Sequence, residues 1–141
     1  MTWHVDNRIA TTTFKVTDFS LSRLYLKNDA NYLWFILIPR VENIQEIHQL
    51  STPQRVLLIE EIAALSDLVN KSCKPFKMNV GALGNIVTQL HIHVIARHPN
   101  DPAWPHGVWQ ETSVTKPYKK EEVVNLLKKW RSLTKDLNLG S

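Results

Sequence analysis

Two histidines stand two positions apart in the stretch from Gln89 to Ile95. Side chains alternate across a β-strand, so Gln89, His91 and His93 are predicted to share one face while the aliphatic residues between them share the other. Imidazole suits attack on phosphorus because a large fraction of it is uncharged at about pH 7. It is also a good leaving group from the phosphoramidate that the attack forms. The residue types and their spacing therefore favour nucleophilic chemistry on a phosphate group.

A loop of small residues, Gly81 to Asn85, stands shortly before these histidines. Such a loop can turn its backbone N–H groups towards phosphate oxygens and bring an anion next to the imidazoles. Asn85 and the amides from Gly84 onward are the candidates for this contact. Asn85 suits a turn equally well, because its side chain bonds readily to nearby backbone groups.

Two other roles fit a His-x-His pair. The histidines can be structural residues of a strand, or they can bind a metal ion with His98 or His106 as a third ligand. No carboxylate stands in the motif, and the glycine loop suits an anion better than a cation. The sequence therefore favours phosphate chemistry over a metal site.

The bulk composition predicts one compact domain over residues 1–141, because 43% of the 141 residues are hydrophobic. The net charge is only +4, and the basic residues near the C-terminus are expected to form a solvated helix face, so no nucleic acid partner is expected. Cys73 is the only cysteine, which excludes an intrachain disulfide. The longest apolar run, Leu33 to Ile38, is too short to span a bilayer, so a cytoplasmic protein without a membrane partner is expected.

The apolar patterns predict an α+β fold, an antiparallel sheet of about five strands with one long central helix and a C-terminal helix at about 119–134. The core of the domain is expected at about 14–110. Two short strands between Phe14 and Leu26 would turn at Thr17 and Asp18, and a buried strand would end at Pro39.

The long helix is predicted to start with Thr52 as its N-cap and to run to about Lys71. Its apolar face is expected to consist of Val56, Ile59, Leu65, Leu68 and Val69, with Leu58 and Ile62 beside them. A strand over 76–80, the glycine loop and a strand over 87–96 then predict an antiparallel hairpin.

The stretch from Gln89 to Arg97 resembles the signature of the histidine triad (HIT) superfamily of nucleotide-binding proteins. The order of the pieces is similar too: a strand ending at Pro39, a long helix, a strand ending near Asn79, the glycine loop and then the signature. A Trp-Pro pair follows at Trp104. The resemblance covers roughly residues 20 to 110.

The resemblance implies roles for the three aligned residues. The middle histidine of the family attacks the α-phosphate and forms a nucleotidyl intermediate that water resolves, and that position is His91. His93 would contact the phosphate or the leaving group. Gln89 replaces the first histidine of the signature; it cannot titrate but can still orient its neighbours. With such a role, Gln89→His should keep activity and Gln89→Ala should lower it modestly.

The resemblance also implies a function. We expect a nucleotide hydrolase or nucleotidyl transferase acting on a purine nucleotide derivative, such as a dinucleoside polyphosphate or a nucleoside phosphoramidate. No cofactor is required, although magnesium can accompany a polyphosphate. The family commonly forms homodimers through the long helix and a neighbouring strand. The alternative function is a nucleotide-binding module with little turnover.

Further residues are candidates for holding the nucleotide. Asn28 or Asp29 is the nearest match to the family's ribose-binding residue, although both also suit a turn. Asn79, at the end of its strand, is a third candidate beside the loop residues Gly84 and Asn85. Trp104 and Trp109 are expected to be packing anchors, with closure over a base or a neighbouring subunit as the alternative.

Overall fold

A computed structural model describes residues 3–110 and 114–137 of the chain. Its five strands are β1 (Thr13–Asp18), β2 (Ser22–Lys27), β3 (Leu33–Pro39), β4 (Lys77–Gly81) and β5 (Ile92–Arg97). The helices are α1 (Asn7–Ala10), α2 (Thr52–Cys73) and α3 (Lys120–Thr134), with a 3₁₀ helix at Ile47–Gln49. The strands form one antiparallel sheet in the order β1-β2-β3-β5-β4, which confirms the predicted fold class.

The turn between β1 and β2 lies further along the chain than predicted. Thr17 and Asp18 still pair with β2, and the turn is closed by the Phe19 N–H, which donates to the Ser22 carbonyl at 2.8 Å. A bulge between Lys15 and Thr17 shifts the register of β1. Because the bulge adds one residue to β1, the strand extends beyond the predicted position of the turn.

The α2 helix begins at Thr52, but its N-cap is Ser51 rather than Thr52. The Ser51 hydroxyl accepts a hydrogen bond from the Gln54 N–H, and the Gln54 side chain accepts one from the Ser51 N–H. This reciprocal capping box satisfies two backbone donors at once. The helix ends two residues beyond the predicted Lys71, where Lys74 adopts a left-handed conformation with φ 45°.

The buried face of α2 differs from the predicted one. Leu65 and Val69 are buried as expected, but Val56 and Ile59 are exposed, and Glu61 is buried. The two oxygens of Glu61 accept hydrogen bonds from the backbone N–H groups of Leu21 and Ser22, at 2.8 and 3.1 Å. Because a hydrogen-bonded carboxylate occupies part of the core-facing side, apolar spacing alone places the first turns of the buried face wrongly. Burial raises the pKa of Glu61.

Both faces of the sheet are covered. The face towards α2 and α3 carries the larger cluster, in which the Phe35 and Trp130 rings meet edge to face with centroids 4.9 Å apart. The opposite face carries a second cluster that includes Tyr25, Trp34 and Ile95, and the N-terminal residue Ile9 packs against it. No helix within residues 3–110 and 114–137 has the length and apolar character needed to cross a bilayer.

The hairpin of β4 and β5 is antiparallel, as predicted, with Gly81 opposite His93. However, β5 begins at Ile92 rather than at residue 87, so Gln89 and His91 precede the strand. The register that pairs Leu37 with Ile92 would place Pro39 opposite Leu90. Proline has no N–H to donate, and the Leu90 N–H bonds instead to the Ile44 carbonyl at 2.9 Å. The ladder therefore ends before His91.

Candidate active site

His91 lies just ahead of β5 and is 8% exposed. Its Nδ1 lies 2.6 Å from the backbone carbonyl oxygen of Gln89. A carbonyl oxygen can only accept, so Nδ1 carries the proton and Nε2 of the neutral ring holds the lone pair. The backbone thus fixes the tautomer in which Nε2 can act as a nucleophile.

His93 lies on β5 opposite Ile36 and is held in the complementary tautomer. The indole Nε1 of Trp34 donates a hydrogen bond of 2.9 Å to Nδ1 of His93. An indole N–H can only donate, so Nδ1 is unprotonated and the proton of the neutral ring is on Nε2. Burial, with smaller contributions from His91 and Lys27, lowers the pKa of His93 to about 3. His93 is therefore a neutral hydrogen-bond donor.

The two imidazoles belong to a group of packed rings. Their centroids lie 5.0 Å apart with the planes at 73°. On His93, the indole of Trp109 packs edge to face at 5.3 Å and that of Trp34 lies at 5.6 Å. This packing holds His93 in place beside His91. A side chain that orients a reacting phosphate needs such a fixed position.

A cavity of about 640 Å³ lies beside His91. Gly84, Thr88 and His91 line it from the connection between β4 and β5, and His48 and Arg55 line it from the region where α2 begins. The volume falls within the range of about 300–1,000 Å³ that is usual for small-molecule sites. The cavity thus gives His91 a place at which a nucleotide could meet it.

The glycine loop contains a tight turn and several backbone N–H groups that other described residues do not accept from. Gly84 has φ 90°, and a Cβ there would come 3.3 Å from the Val87 carbonyl oxygen. A side chain at this position would be strained, so the turn requires glycine. Within the described ranges, no group accepts a hydrogen bond from the backbone N–H groups of residues 84–88. These donors are available to phosphate oxygens.

The side chain of Gln89 hydrogen-bonds to the N-terminal segment, whereas its backbone carbonyl is the partner of His91. Its Oε1 accepts a hydrogen bond of 2.7 Å from the Asp6 N–H, and its Nε2 donates one of 3.1 Å to the His4 carbonyl. Both ends of the amide are thus used by backbone more than 80 residues away in the sequence. The Gln89 side chain therefore holds the N-terminal segment, and its orienting role at the histidines stays a prediction.

The family model of the HIT domain matches residues 9–100 of the chain, which is more than half of its length. The chain belongs to the histidine triad family. Among curated proteins, no sequence matches it at a significant level.

Solved structures of this family are similar to the histidine triad chain over almost its whole length. A histidine triad protein from Marinobacter aquaeolei is 38% identical, with 96% of this chain and 98% of that chain covered and a TM-score of 0.91. One from Bradyrhizobium japonicum is 36% identical, with 92% and 96% covered and a TM-score of 0.88. One from Sinorhizobium meliloti is 33% identical, with 93% and 96% covered and a TM-score of 0.88.

The structure of this histidine triad protein does not support the assignment of Asn28 and Asp29 to the ribose. The Asn28 Oδ1 accepts a hydrogen bond from the Tyr118 N–H at 2.9 Å. The Asp29 Oδ1 accepts from the backbone N–H groups of Asn31 and Lys116. Neither residue lines the cavity beside His91. Both side chains stabilise turns and the segment before α3, which is the alternative role the sequence allowed.

The remaining candidates divide in the same way. Gly84 lines the cavity, whereas Asn85 is exposed and does not. Asn79 lies on β4, where its Oδ1 accepts a hydrogen bond of 2.8 Å from Arg97. Trp104 packs against Phe76 and Arg97 as an anchor, while Trp109 packs against His93 and so belongs to the site.

Sequence reasoning missed Trp34, Lys27 and Thr88. Trp34 fixes the tautomer of His93, the Lys27 charge contributes to the low pKa of His93, and Thr88 lines the cavity. The signal for Trp34 was its position in the buried strand before Pro39, but only the register of β3 against β5 brings it to His93. No local pattern contains that register.

The metal-binding alternative gains no support from the arrangement of the side chains. In the part of the chain that the structure describes, no group of three or more histidine, cysteine, aspartate or glutamate residues is placed to hold a metal ion. The Nδ1 atoms of His91 and His93 are already engaged by Gln89 and Trp34.

Proposed function

We propose that this protein is a nucleotide hydrolase or nucleotidyl transferase that acts on the α-phosphate of a nucleoside phosphate derivative. The observation that carries the proposal is the contact between His91 Nδ1 and the Gln89 carbonyl, beside a cavity of about 640 Å³. It presents Nε2 as a nucleophile with its lone pair available. Membership of the histidine triad family supports nucleotide-related hydrolase or transferase chemistry at the level of the family.

In the first step, the lone pair on His91 Nε2 forms a bond to the α-phosphorus while the bond from phosphorus to the leaving group breaks. The leaving group takes the electron pair of that bond, and the amine of a phosphoramidate also takes a proton from solvent as it leaves. The ring becomes cationic, and the Gln89 carbonyl stabilises the cation because it already accepts from Nδ1–H. The free N–H groups of residues 84–88 and the Nε2–H of His93 would bind the phosphoryl oxygens.

In the second step, water or another hydroxyl compound attacks the same phosphorus, and the bond from phosphorus to Nε2 breaks. The attacking oxygen loses its proton to solvent, and neutral His91 is restored with its proton on Nδ1. Water gives hydrolysis and another acceptor gives transfer. Splitting the displacement into two steps is the advantage of a covalent nucleophile.

The proposed substrates are purine nucleotide derivatives, either dinucleoside polyphosphates or nucleoside phosphoramidates. Neither step needs a resident cofactor, and magnesium would enter only as the counter-ion of a polyphosphate. Chelator should therefore leave hydrolysis of a phosphoramidate unchanged.

We also infer a homodimer. β4 is an edge strand of the sheet, and its Val80 is 47% exposed. On α2, Val56 and Ile59 are exposed to 58% and 61%. A two-fold pairing of these surfaces would cover the apolar side chains and pair the free edge. This agrees with the expectation carried by the family resemblance.

The experiment compares the wild type with His91→Asn on adenosine phosphoramidate and diadenosine polyphosphates. Turnover is followed by release of AMP, and the intermediate by intact mass after a rapid acid-free quench. His106→Asn is the matched control, because His106 is an exposed histidine outside the cavity. We expect the wild type and the control to release AMP and to carry one nucleotidyl group, and His91→Asn to do neither.

Two outcomes would overturn the enzymatic proposal. If His91→Asn turns over substrate as fast as the wild type, His91 is not the nucleophile. If the wild type binds AMP but turns over none of the substrates, the protein is a binding module.

A further inference from the structure

The Gln89 amide pairs with the N-terminal segment as a neighbouring peptide group would. Its oxygen accepts from the Asp6 N–H and its nitrogen donates to the His4 carbonyl, so it bonds on either side of Val5. This is the pattern by which one residue of a parallel strand bonds to two residues of its neighbour. The Gln89 side chain therefore makes the two hydrogen bonds of a parallel β-bridge in place of the backbone of residue 89.

A second contact joins the same two pieces of chain. Arg8 donates from Nη1 to the Ile86 carbonyl at 3.2 Å, within the glycine loop connection. The guanidinium is aimed by Asp6, whose two oxygens accept from Arg8 Nε and Nη2 at 3.1 and 3.0 Å. Asp6 also caps α1 by accepting from the Arg8 N–H at 2.9 Å. The planar fork of arginine can bond to Asp6 and Ile86 at once, which an ammonium cannot match.

The segment held in this way forms a wall of a second cavity. This cavity, of about 400 Å³, is lined by Trp3, His4 and Asp6 from the segment and by Thr88 and Gln89 from the connection. Thr88 and Gln89 also line the cavity beside His91. The two cavities are therefore neighbours, and the N-terminal segment bounds one of them while it touches the loop that bounds the other.

We propose that Gln89 is a positioning residue that clamps residues 3–10 onto the loop of residues 84–88, with Arg8 as the second point of attachment. The clamp fixes the backbone N–H groups that would hold the α-phosphate. The role in nucleotide binding rests on the proposed function, whereas the clamp itself does not.

The clamp explains why glutamine suits this position better than histidine. A primary amide presents an acceptor and a donor side by side to one strand. An imidazole carries its two nitrogens on diverging edges of the ring, so it cannot bond to the His4 carbonyl and the Asp6 N–H together. The expectation from sequence alone that Gln89→His keeps activity is therefore reversed.

The test uses Gln89→His, Gln89→Glu and Arg8→Gln in the full chain, with Lys128→Gln as the control that removes one charge on the exposed side of α3. Binding of AMP is measured by calorimetry, and release of the segment by the rate of trypsin cleavage after Arg8 in the two Gln89 variants. We expect the three variants to raise the Kd about tenfold, equal to about 1.4 kcal/mol, with the control unchanged. Cleavage after Arg8 should become faster in both Gln89 variants.

Gln89→Glu supplies a readout that general loss of stability would not produce. A protonated carboxyl has the same adjacent acceptor and donor as the amide, but a carboxylate repels the His4 carbonyl. The ratio of the variant's Kd to that of the wild type should fall as the pH is lowered towards about 5, closer to the pKa of a carboxyl group. Because His4, Asp6, Glu42 and His91 are present in both proteins, the ratio isolates residue 89.

AMP binding by Gln89→His and Gln89→Glu at wild-type strength, with unchanged cleavage, would overturn the clamp. A wild type that neither binds nor turns over AMP derivatives would overturn the proposed function instead. In that case the cleavage rates still decide whether Gln89 holds the segment.

Discussion

Trp34 Nε1 donates a 2.9 Å hydrogen bond to Nδ1 of His93, across two neighbouring strands of the sheet. The bond forces His93 to keep its proton on Nε2. His91 has the opposite arrangement, with its proton on Nδ1 facing the Gln89 carbonyl. The two histidines thus differ before any substrate binds. Nε2 of His91 has a free lone pair, whereas Nε2 of His93 carries a proton that it can donate.

Trp34→Phe removes the donor and keeps most of the ring. We expect kcat/KM for the proposed reaction to fall about tenfold, because His93 can then take either tautomer and no longer always presents Nε2–H. Nitrogen NMR of His93 should show a mixture of tautomers in the variant and one tautomer in the wild type. Trp104→Phe, at an anchor away from His93, should leave both unchanged; an unchanged spectrum in Trp34→Phe would contradict the assignment.

His93 should make folding stability depend on pH. Burial lowers its folded-state pKa from 6.5 to about 3, so in that window the unfolded chain binds the proton more tightly. The free energy of unfolding should therefore decrease as the pH falls from 6.5 towards 3. His93→Gln should flatten this part of the urea-unfolding profile, and His106→Gln should not. Parallel profiles for His93→Gln and the wild type would show that His93 titrates normally.

Glu61→Gln tests the buried carboxylate on α2. The amide has only one accepting oxygen, so one of the N–H groups of Leu21 and Ser22 loses its partner. We expect a loss of about 1–3 kcal/mol in the free energy of unfolding at pH 7. The matched control is Glu60→Gln, one residue away on the exposed side of the helix, which should change little. Equal effects of the two substitutions would remove the special role of Glu61.

The same carboxyl predicts a pH effect of opposite sign to that of His93. Since burial raises the pKa of Glu61 above 4.5, the folded state holds this proton more tightly than the unfolded chain does. Its contribution to stability should fall as the pH rises from 4.5 through the raised pKa. The difference between the wild-type and Glu61→Gln profiles in urea should show this slope.

Gly84→Ala tests the loop in which phosphate binding is proposed. The φ of 90° and the nearby Val87 carbonyl strain any side chain at this position. AMP binding should weaken about tenfold while the rest of the fold persists, as measured by calorimetry and circular dichroism. Asn85→Ala should bind as the wild type does if backbone amides rather than the Asn85 side chain grip the phosphate. Weaker binding in Asn85→Ala alone would restore the role that the sequence allowed for that side chain.

Ile59→Lys tests the proposed dimer. A charge on the exposed apolar side of α2 should convert the dimer to a monomer in light scattering after size exclusion. Val124→Lys is the control, because Val124 is similarly exposed on α3. A wild type that is monomeric at micromolar concentration would end the proposal.

Much of this protein could be predicted from local patterns. The pair of histidines His91 and His93, the glycine that a tight turn requires at Gly84, and the long helix with a polar cap each depend on residues a few positions apart. Such patterns indicate which face of a helix or strand a residue lies on. The antiparallel α+β fold follows from them. Where a polar group lies on a buried side, as Glu61 does, the apolar pattern misplaces part of the buried face.

The partners of the polar groups were decided only by the tertiary structure. Gln89 bonds to backbone 83 and 85 residues earlier, and His93 receives its hydrogen bond from Trp34, 59 residues earlier. A hydrogen bond depends strongly on the donor–acceptor distance and angle. Both are set by strand register and by how the segments pack. The residues at the site could therefore be found in the sequence, but which proton each of them carries is set by contacts between distant parts of the chain.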